Sequence, residues 1–183
     1  KKNGYEIYEL TFSHADRENV VLPATGGEGK IAFSSGVPGN ILAVEIGPNK
    51  TIVAQKKAFL ASEMGVNYET SFQKKLGAGF FGGEGFIMQK FSGEGTVFLE
   101  IDGSIVEYDL AAGESMLLDT GALAAMDSTV QMDIESVKGL GNKLMGGEGL
   151  FNTKVTGPGH IWLQTMPVSS LAAAVRPYIP TGK

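Results

Sequence analysis

The chain has 183 residues, with 20 acidic and 15 basic side chains, two histidines and a formal net charge of −5. That length suits a single domain burying roughly 70% of its unfolded surface, and the acidic balance argues against DNA as a partner. Cysteine is absent, which excludes disulfides, zinc-thiolate sites and a thiol nucleophile and fits a reducing cytoplasm, the expected location. No apolar run approaches the ~18 to 20 residues of a membrane-spanning helix, and the first residues lack the charged-then-apolar pattern of a signal peptide.

In chain order, the alternation in Tyr5–Phe12 and the apolar group Val20–Leu22 predict two short strands around a polar stretch. The tetrapeptide Gly26-Gly27-Glu28-Gly29 follows. It returns as Gly82-Gly83-Glu84-Gly85 and Gly146-Gly147-Glu148-Gly149, at intervals of 56 and 64 residues. Each copy is followed, ten positions past its last glycine, by another glycine: Gly39, Gly95 and Gly159. A four-residue word with a matched downstream glycine marks one structural unit used three times, at about 26–81, 82–145 and 146–183.

Ile41–Ile46 reads as a strand, and Gly47-Pro48-Asn49-Lys50 as a tight turn closing a hairpin with Thr51–Ala54. Val66, Tyr68, Thr70 and Phe72 alternate with polar residues, the period of a half-buried strand, and Val130, Met132 and Ile134 repeat that pattern 64 residues later. Leu60-Ala61 and Leu123-Ala124 correspond at 63, which predicts a one-residue bulge or a longer turn near Ser128. Asp102-Gly103 is a strong hairpin signal, since a type I′ turn needs positive φ at both central residues. It predicts the pairs Ile101 with Ser104, Leu99 with Val106 and Val97 with Tyr108. A last strand carries Ile161-Trp162-Leu163, and Ser169-Ser170 is expected to cap a short helix, Leu171–Arg176, ended by Pro177. With 26 glycines and short alternating strands, the fold class is all-β, a double-stranded β-helix or β-sandwich with one short C-terminal helix.

Catalytic motifs fail on context. Gly77-Ala78-Gly79-Phe80-Phe81-Gly82 matches the dinucleotide fingerprint but precedes a strand, not the helix N-terminus that receives a pyrophosphate. Gly29-Lys30 lacks the first glycine and the hydroxyl residue of a phosphate loop. His14 and His160 stand far apart, in no metal-binding spacing, and His160 reads as a partly exposed turn residue. No catalytic residue, metal ligand or cofactor is expected. The lysine pairs Lys56-Lys57 and Lys74-Lys75 read as solvated faces. The candidate ligand-binding residues are Glu28, Glu84 and Glu148, which repeat symmetry could gather into an oxygen-rich site for a hard cation or cationic ligand. Their structural alternative is a carboxylate accepting amide hydrogen bonds at a glycine corner.

Phe80-Phe81-GGEGF, TVFLEIDG, DTGALAA, GGEGLF and TGPGHIWLQTMP, in that order over about Val44 to Pro167, resemble the altered-inheritance-of-mitochondria family. That family's fold is grouped with the trp RNA-binding attenuation protein-like double-stranded β-helices. The resemblance implies an all-β repeat domain that forms a homotrimer, with no catalytic residues to carry over. The resulting expectation is a non-enzymatic scaffold or interaction module that assembles with itself into a ring. Its rivals are a small-molecule or cation binder using the repeated glutamates and, by fold analogy, a single-stranded RNA binder.

Overall fold

The structure is a computed structural model that describes residues 10–12, 20–22, 32–74, 85–136 and 151–179. Its strands are β1 (Leu10–Phe12), β2 (Val20–Leu22), β3 (Gly39–Ile46), β4 (Ile52–Gln55), β5 (Phe59–Glu63), β6 (Val66–Lys74) and β7 (Phe86–Gly93). They continue as β8 (Gly95–Asp102), β9 (Ile105–Leu110), β10 (Ser115–Asp119), β11 (Leu123–Asp127), β12 (Gln131–Ser136), β13 (Phe151–Thr156) and β14 (Gly159–Gln164). One α-helix, α1 (Val168–Val175), follows. The all-β class with a short C-terminal helix therefore holds.

Three antiparallel sheets form, in the orders β2-β1-β5-β8-β3, β6-β7-β4-β11-β14-β9 and β10-β13-β12. The six-stranded sheet is the middle layer. Along β4, Ile52 and Ala54 join one core with Phe59, Val97 and Leu99, while Val53 between them joins a second core with Val155, Ile134 and Ile161. Both faces of β4 are covered, so Ile52, Val53 and Ala54 are apolar in succession instead of alternating with polar residues. The flanking strands β8 and β13 show the period of two, with Val97, Leu99 and Ile101 fully buried and the residues between them half-buried.

Strand pairing recurs with a displacement of 64. Ile41 pairs with Glu100 and Ile46 with Gly95 in β3·β8, and Ile105 with Gln164 and Leu110 with Gly159 in β9·β14. In β5·β8, Phe59 faces Leu99, Ala61 faces Phe98 and Ser62 faces Val97; β11·β14 has Leu123 with Leu163, Ala125 with Trp162 and Met126 with Ile161. The register shift falls at the same place in both, between Phe59 and Ala61 and between Leu123 and Ala125. The halves so defined run over about 39–102 and 103–166, cut differently from the division expected at the tetrapeptides. No bulge sits near Ser128, but the turn there is the longer one, 128–130 between β11 and β12 against 64–65 between β5 and β6. The Ser128 amide donates to Thr51 O at 3.0 Å, and the one irregularity of the 66–74 strand lies between Thr70 and Phe72.

Both expected hairpins open at their turns. Gly47 and Lys50 exchange backbone hydrogen bonds of 3.1 and 3.0 Å, but β3 then pairs with β8 while β4 enters the middle sheet between β7 and β11. At Asp102-Gly103, β8 stays in the five-stranded sheet and β9 pairs with β14, so Leu42, not Val106, faces Leu99. A turn dipeptide reports the local backbone preference only. The strand alongside is chosen by which apolar faces can be buried together. Gly103 has φ +80°, its amide donates to Pro38 O at 3.1 Å, and Asp102 O and Ser104 O accept from Met166 and Thr165 at 3.1 and 3.2 Å.

The helix also departs from expectation. It begins at Val168, with Pro167 before it, and Ser169-Ser170 lie inside its first turn. Its cap comes from another strand: Val168 N donates to Asp102 Oδ2 at 2.9 Å. Among the described strands, Leu10–Phe12 and Val20–Leu22 pair antiparallel, in agreement with the two short strands expected there.

Gly103 and Gly113 share nearly the same φ, +80° and +79°, but differ in space. A Cβ at Gly103 would sit 2.7 Å from Thr165 Oγ1 and 2.9 Å from Met166 Cβ, whereas one at Gly113 meets nothing within 4 Å. Gly113→Ala should cost about 1 kcal/mol through backbone strain alone, and Gly103→Ala roughly 2–4 kcal/mol. Urea denaturation of the two variants checks the difference; equal losses would remove the corner's role.

Candidate functional site

Equivalent positions in the two halves separate what the fold requires from what is particular to one place. Gly95 and Gly159 open β8 and β14 with φ +136° and +144°. A Cβ on Gly95 would crowd Glu63, and one on Gly159 would crowd Thr129 and Val130. The next residue in each case donates its amide to a carboxylate, Thr96 N to Glu63 Oε2 at 2.7 Å and His160 N to Asp127 Oδ2 at 2.8 Å. These carboxylates accept the amide at a glycine corner in both halves, so folding accounts for them.

Around the His160 side chain the halves diverge. Its counterpart is Thr96, and the counterparts of Glu107 and Asp109 are Ala43 and Glu45. In β9·β14, His160 lies opposite Asp109, and Trp162 opposite Glu107. Alternation then puts Glu107, Asp109, His160 and Trp162 on one face. His160 Nδ1 is 2.6 Å from Asp109 Oδ1 and Nε2 is 2.9 Å from Glu107 Oε2. The imidazole leans on the Trp162 ring, centroids 4.5 Å apart, and Lys50 Nζ stands 5.8 Å from the centre of that indole. His160 is a strand residue with a side chain 23% exposed, not a turn residue.

Burial opposes the positive charge on His160, yet the hydrogen bonds and charges of Asp109 and Glu107 outweigh it and raise the imidazole above its ordinary range. An imidazolium donates from both nitrogens and satisfies both carboxylates. The same arrangement leaves neither nitrogen free to accept a proton from a substrate. Among the described residues no cluster of three His, Asp or Glu side chains is arranged to hold a metal ion. What the geometry does is clasp the edge strand β9 to β14.

Of the residues expected to bind ligand, Glu28, Glu84 and Glu148 lie outside the described residues, as does His14. Lys74 serves the fold, its Nζ donating to Ile134 O at 2.6 Å. Sequence reasoning missed Glu107 and Asp109 because the Asp102-Gly103 hairpin would have set β9 beside β8. Aligning the halves at 64 places His160 beside them instead.

A family model described as Mitochondrial biogenesis AIM24 matches residues 6–166. The chain belongs to the AIM24 family. An uncharacterised protein of Streptococcus pyogenes serotype M6 is 32% identical over 157 residues, which are 85% of this chain and 61% of that protein. The X-ray crystal structure of a Streptococcus pyogenes protein superposes with a TM-score of 0.64 at 27% identity, covering 80% of this chain and 63% of the crystal chain. The AIM24-family chain thus spans less than two thirds of the length of each of these relatives.

Four of the motifs that carry the family resemblance meet in one buried knot. Gln164, from TGPGHIWLQTMP, accepts the Asp102 amide of TVFLEIDG at 3.1 Å and donates to Gly121 O of DTGALAA at 2.8 Å. Gln55 Nε2 reaches the same Gly121 O at 3.3 Å and also bonds Leu123 O. Asp119 Oδ1 accepts from Gly121 N at 2.8 Å, and Thr120 Oγ1 donates to Phe151 O at 2.8 Å. Gln55 and Gln164 are 6% and 7% exposed, so their amides are satisfied inside the protein. Burial raises the Asp102 carboxyl, the Val168 amide works against that, Glu100 adds to it and Lys57 subtracts. A carboxyl raised on folding favours the folded chain more in acid than at neutral pH. In this chain these motifs act as a joint between the halves.

Two outcomes follow from this geometry. Because the folded pKa of His160 is raised, the clasp contributes fully below about pH 6.5 and is lost as pH rises through the raised value. With exposed carboxylate partners, His160→Gln should cost about 0.5–1 kcal/mol at about pH 5.5 and close to nothing at about pH 9, read from urea midpoints. A loss that is the same at both would show that the charge is irrelevant. Gln164→Leu leaves the Asp102 amide without its acceptor and should cost roughly 1–3 kcal/mol, measured by thermal unfolding.

Proposed function

We propose that this chain is a non-enzymatic scaffold that assembles with itself into a ring-like homotrimer. The observation that carries the reading is the state of the sheet edges. Among the described residues, β10 pairs on one side only, with β13, and β9 and β3 end their sheets. Unpaired strand edges are templates for another chain. Leu117 of β10 is 59% exposed, and Val106 and Tyr108 of β9 are 37% and 43% exposed. Large apolar side chains on an open edge favour association over solvation.

The same reading takes β5-β8-β3 against β6-β7-β4, and β11-β14-β9 against β10-β13-β12, each as a double-stranded β-helix of the trp RNA-binding attenuation protein-like kind. It places the protein in the cytoplasm, in keeping with its cysteine-free composition. Its partner is itself, and the net charge of −5 gives no footing for DNA. Among the described residues no helix is long and apolar enough to cross a membrane.

Size-exclusion chromatography with light scattering at micromolar concentration should return three chain masses. A single chain mass at that concentration would sink the scaffold reading.

A further inference from the structure

The displacement of 64 identifies which edge is unfilled and what fits it. β4 and β10 are the same strand of the two halves. Ile52 pairs with Phe91 and Gln55 with Met88, and Met116 with Val155 and Asp119 with Asn152. A short 3-10 turn follows each, at Lys56–Ala58 and Thr120–Ala122. β5 and β11 are likewise the same strand, down to the shift in their ladders. The second edge of β4 is paired with β11, through Ala54 with Ala125, Val53 with Met126 and Ile52 with Asp127. By the same displacement, β10 presents the edge that β4 uses, and β5 presents the edge that β11 uses. Within one chain these two surfaces belong to opposite outer layers. The edge of β5 is covered by β1, in the corresponding register: Phe12 with Ala61, Thr11 with Ser62 and Leu10 with Glu63.

We propose that the open edge of β10 docks on β5 of a second copy of this chain, in the register Leu118 with Ala61, Leu117 with Ser62 and Met116 with Glu63. The inference deepens the self-assembly reading and rests on it. β5 exchanges one three-residue ladder for another in the same register, so its backbone groups stay paired. β10 gains partners on the side where the described residues supply none. The residue of β5 at one end of the contact is Ala61, matching Ala125 on β11, and a small side chain there lets the facing strand come in flat. The contact is head-to-tail, which closes into a ring when the rotation between copies allows it.

The chain has no cysteine, so engineered pairs report cleanly. Leu118→Cys combined with Ala61→Cys should form disulfides between copies under mild oxidation, giving covalent oligomers on a non-reducing gel. Leu117→Lys, which adds a charge to an already exposed edge position, should weaken association by roughly tenfold or more while circular dichroism stays unchanged. Disulfides between copies together with weakened assembly support the proposal. If the wild-type chain assembles but the cysteine pair stays unlinked or links within one chain, or Leu117→Lys assembles normally, β10 is not the contact and the scaffold reading stands. If the wild-type chain is a monomer, both fall.

Discussion

The three-residue ladder between β4 and β11 is the contact that the remaining structure depends on. It joins the β6-β7-β4 half of the middle sheet to the β11-β14-β9 half, with Ala54 opposite Ala125 and both fully buried. A strand covered on both faces has no water to satisfy its backbone, so the edge of β4 needs a partner strand. Small side chains at the crossing let the flanking layers close over the joint, and a core then forms on each side of it. The two cores are built from equivalent positions, Phe59 and Leu123, Val66 and Val130, Val97 and Ile161, which ties the stability of each half to the same pairing.

Repetition also sorts the polar groups. The carboxylates of Glu63 and Asp127 do the same work at the same corner, each accepting the amide that follows a left-handed glycine. The His160, Glu107 and Asp109 clasp occurs in one half only, at the outer edge of the middle sheet. An imidazolium held from both sides stiffens that edge and lowers the local negative charge, in a way that depends on proton concentration. The buried knot of Gln55, Gln164 and Gly121 is different again. It links the end of β8 to the turn before β11, so residues far apart in the chain hold the second half in place. Neither arrangement offers a free base beside a nucleophile, and both act on how the sheets are held.

Much of the fold was legible. The strands at 41–46, 66–73, 97–101 and 161–163 lie within those observed and the one at 130–135 is met from Gln131 onward, because alternation of apolar residues is a local signal that burial on one face enforces. The glycines at 95 and 159 proved to be backbone requirements, with positive φ and no room for a side chain. The resemblance to the altered-inheritance-of-mitochondria family agrees with the AIM24 match over residues 6–166. The site was far less legible. The tetrapeptide glutamates drew attention because they recur, yet the one distinctive cluster among the described residues was marked by failing to recur.

The amino-acid sequence by itself determined the strand positions, the glycine corners and the all-β class, since each depends on a few neighbouring residues and on which of them can face an apolar core. Only the tertiary structure decided that Asp102-Gly103 and Gly47-Lys50 are crossings between sheets and not hairpin ends, and that His160 meets Glu107 and Asp109. Partner choice is a competition among distant strands for the burial of whole faces. The free energy of that burial exceeds the preference of any two-residue turn, and no local pattern records its result.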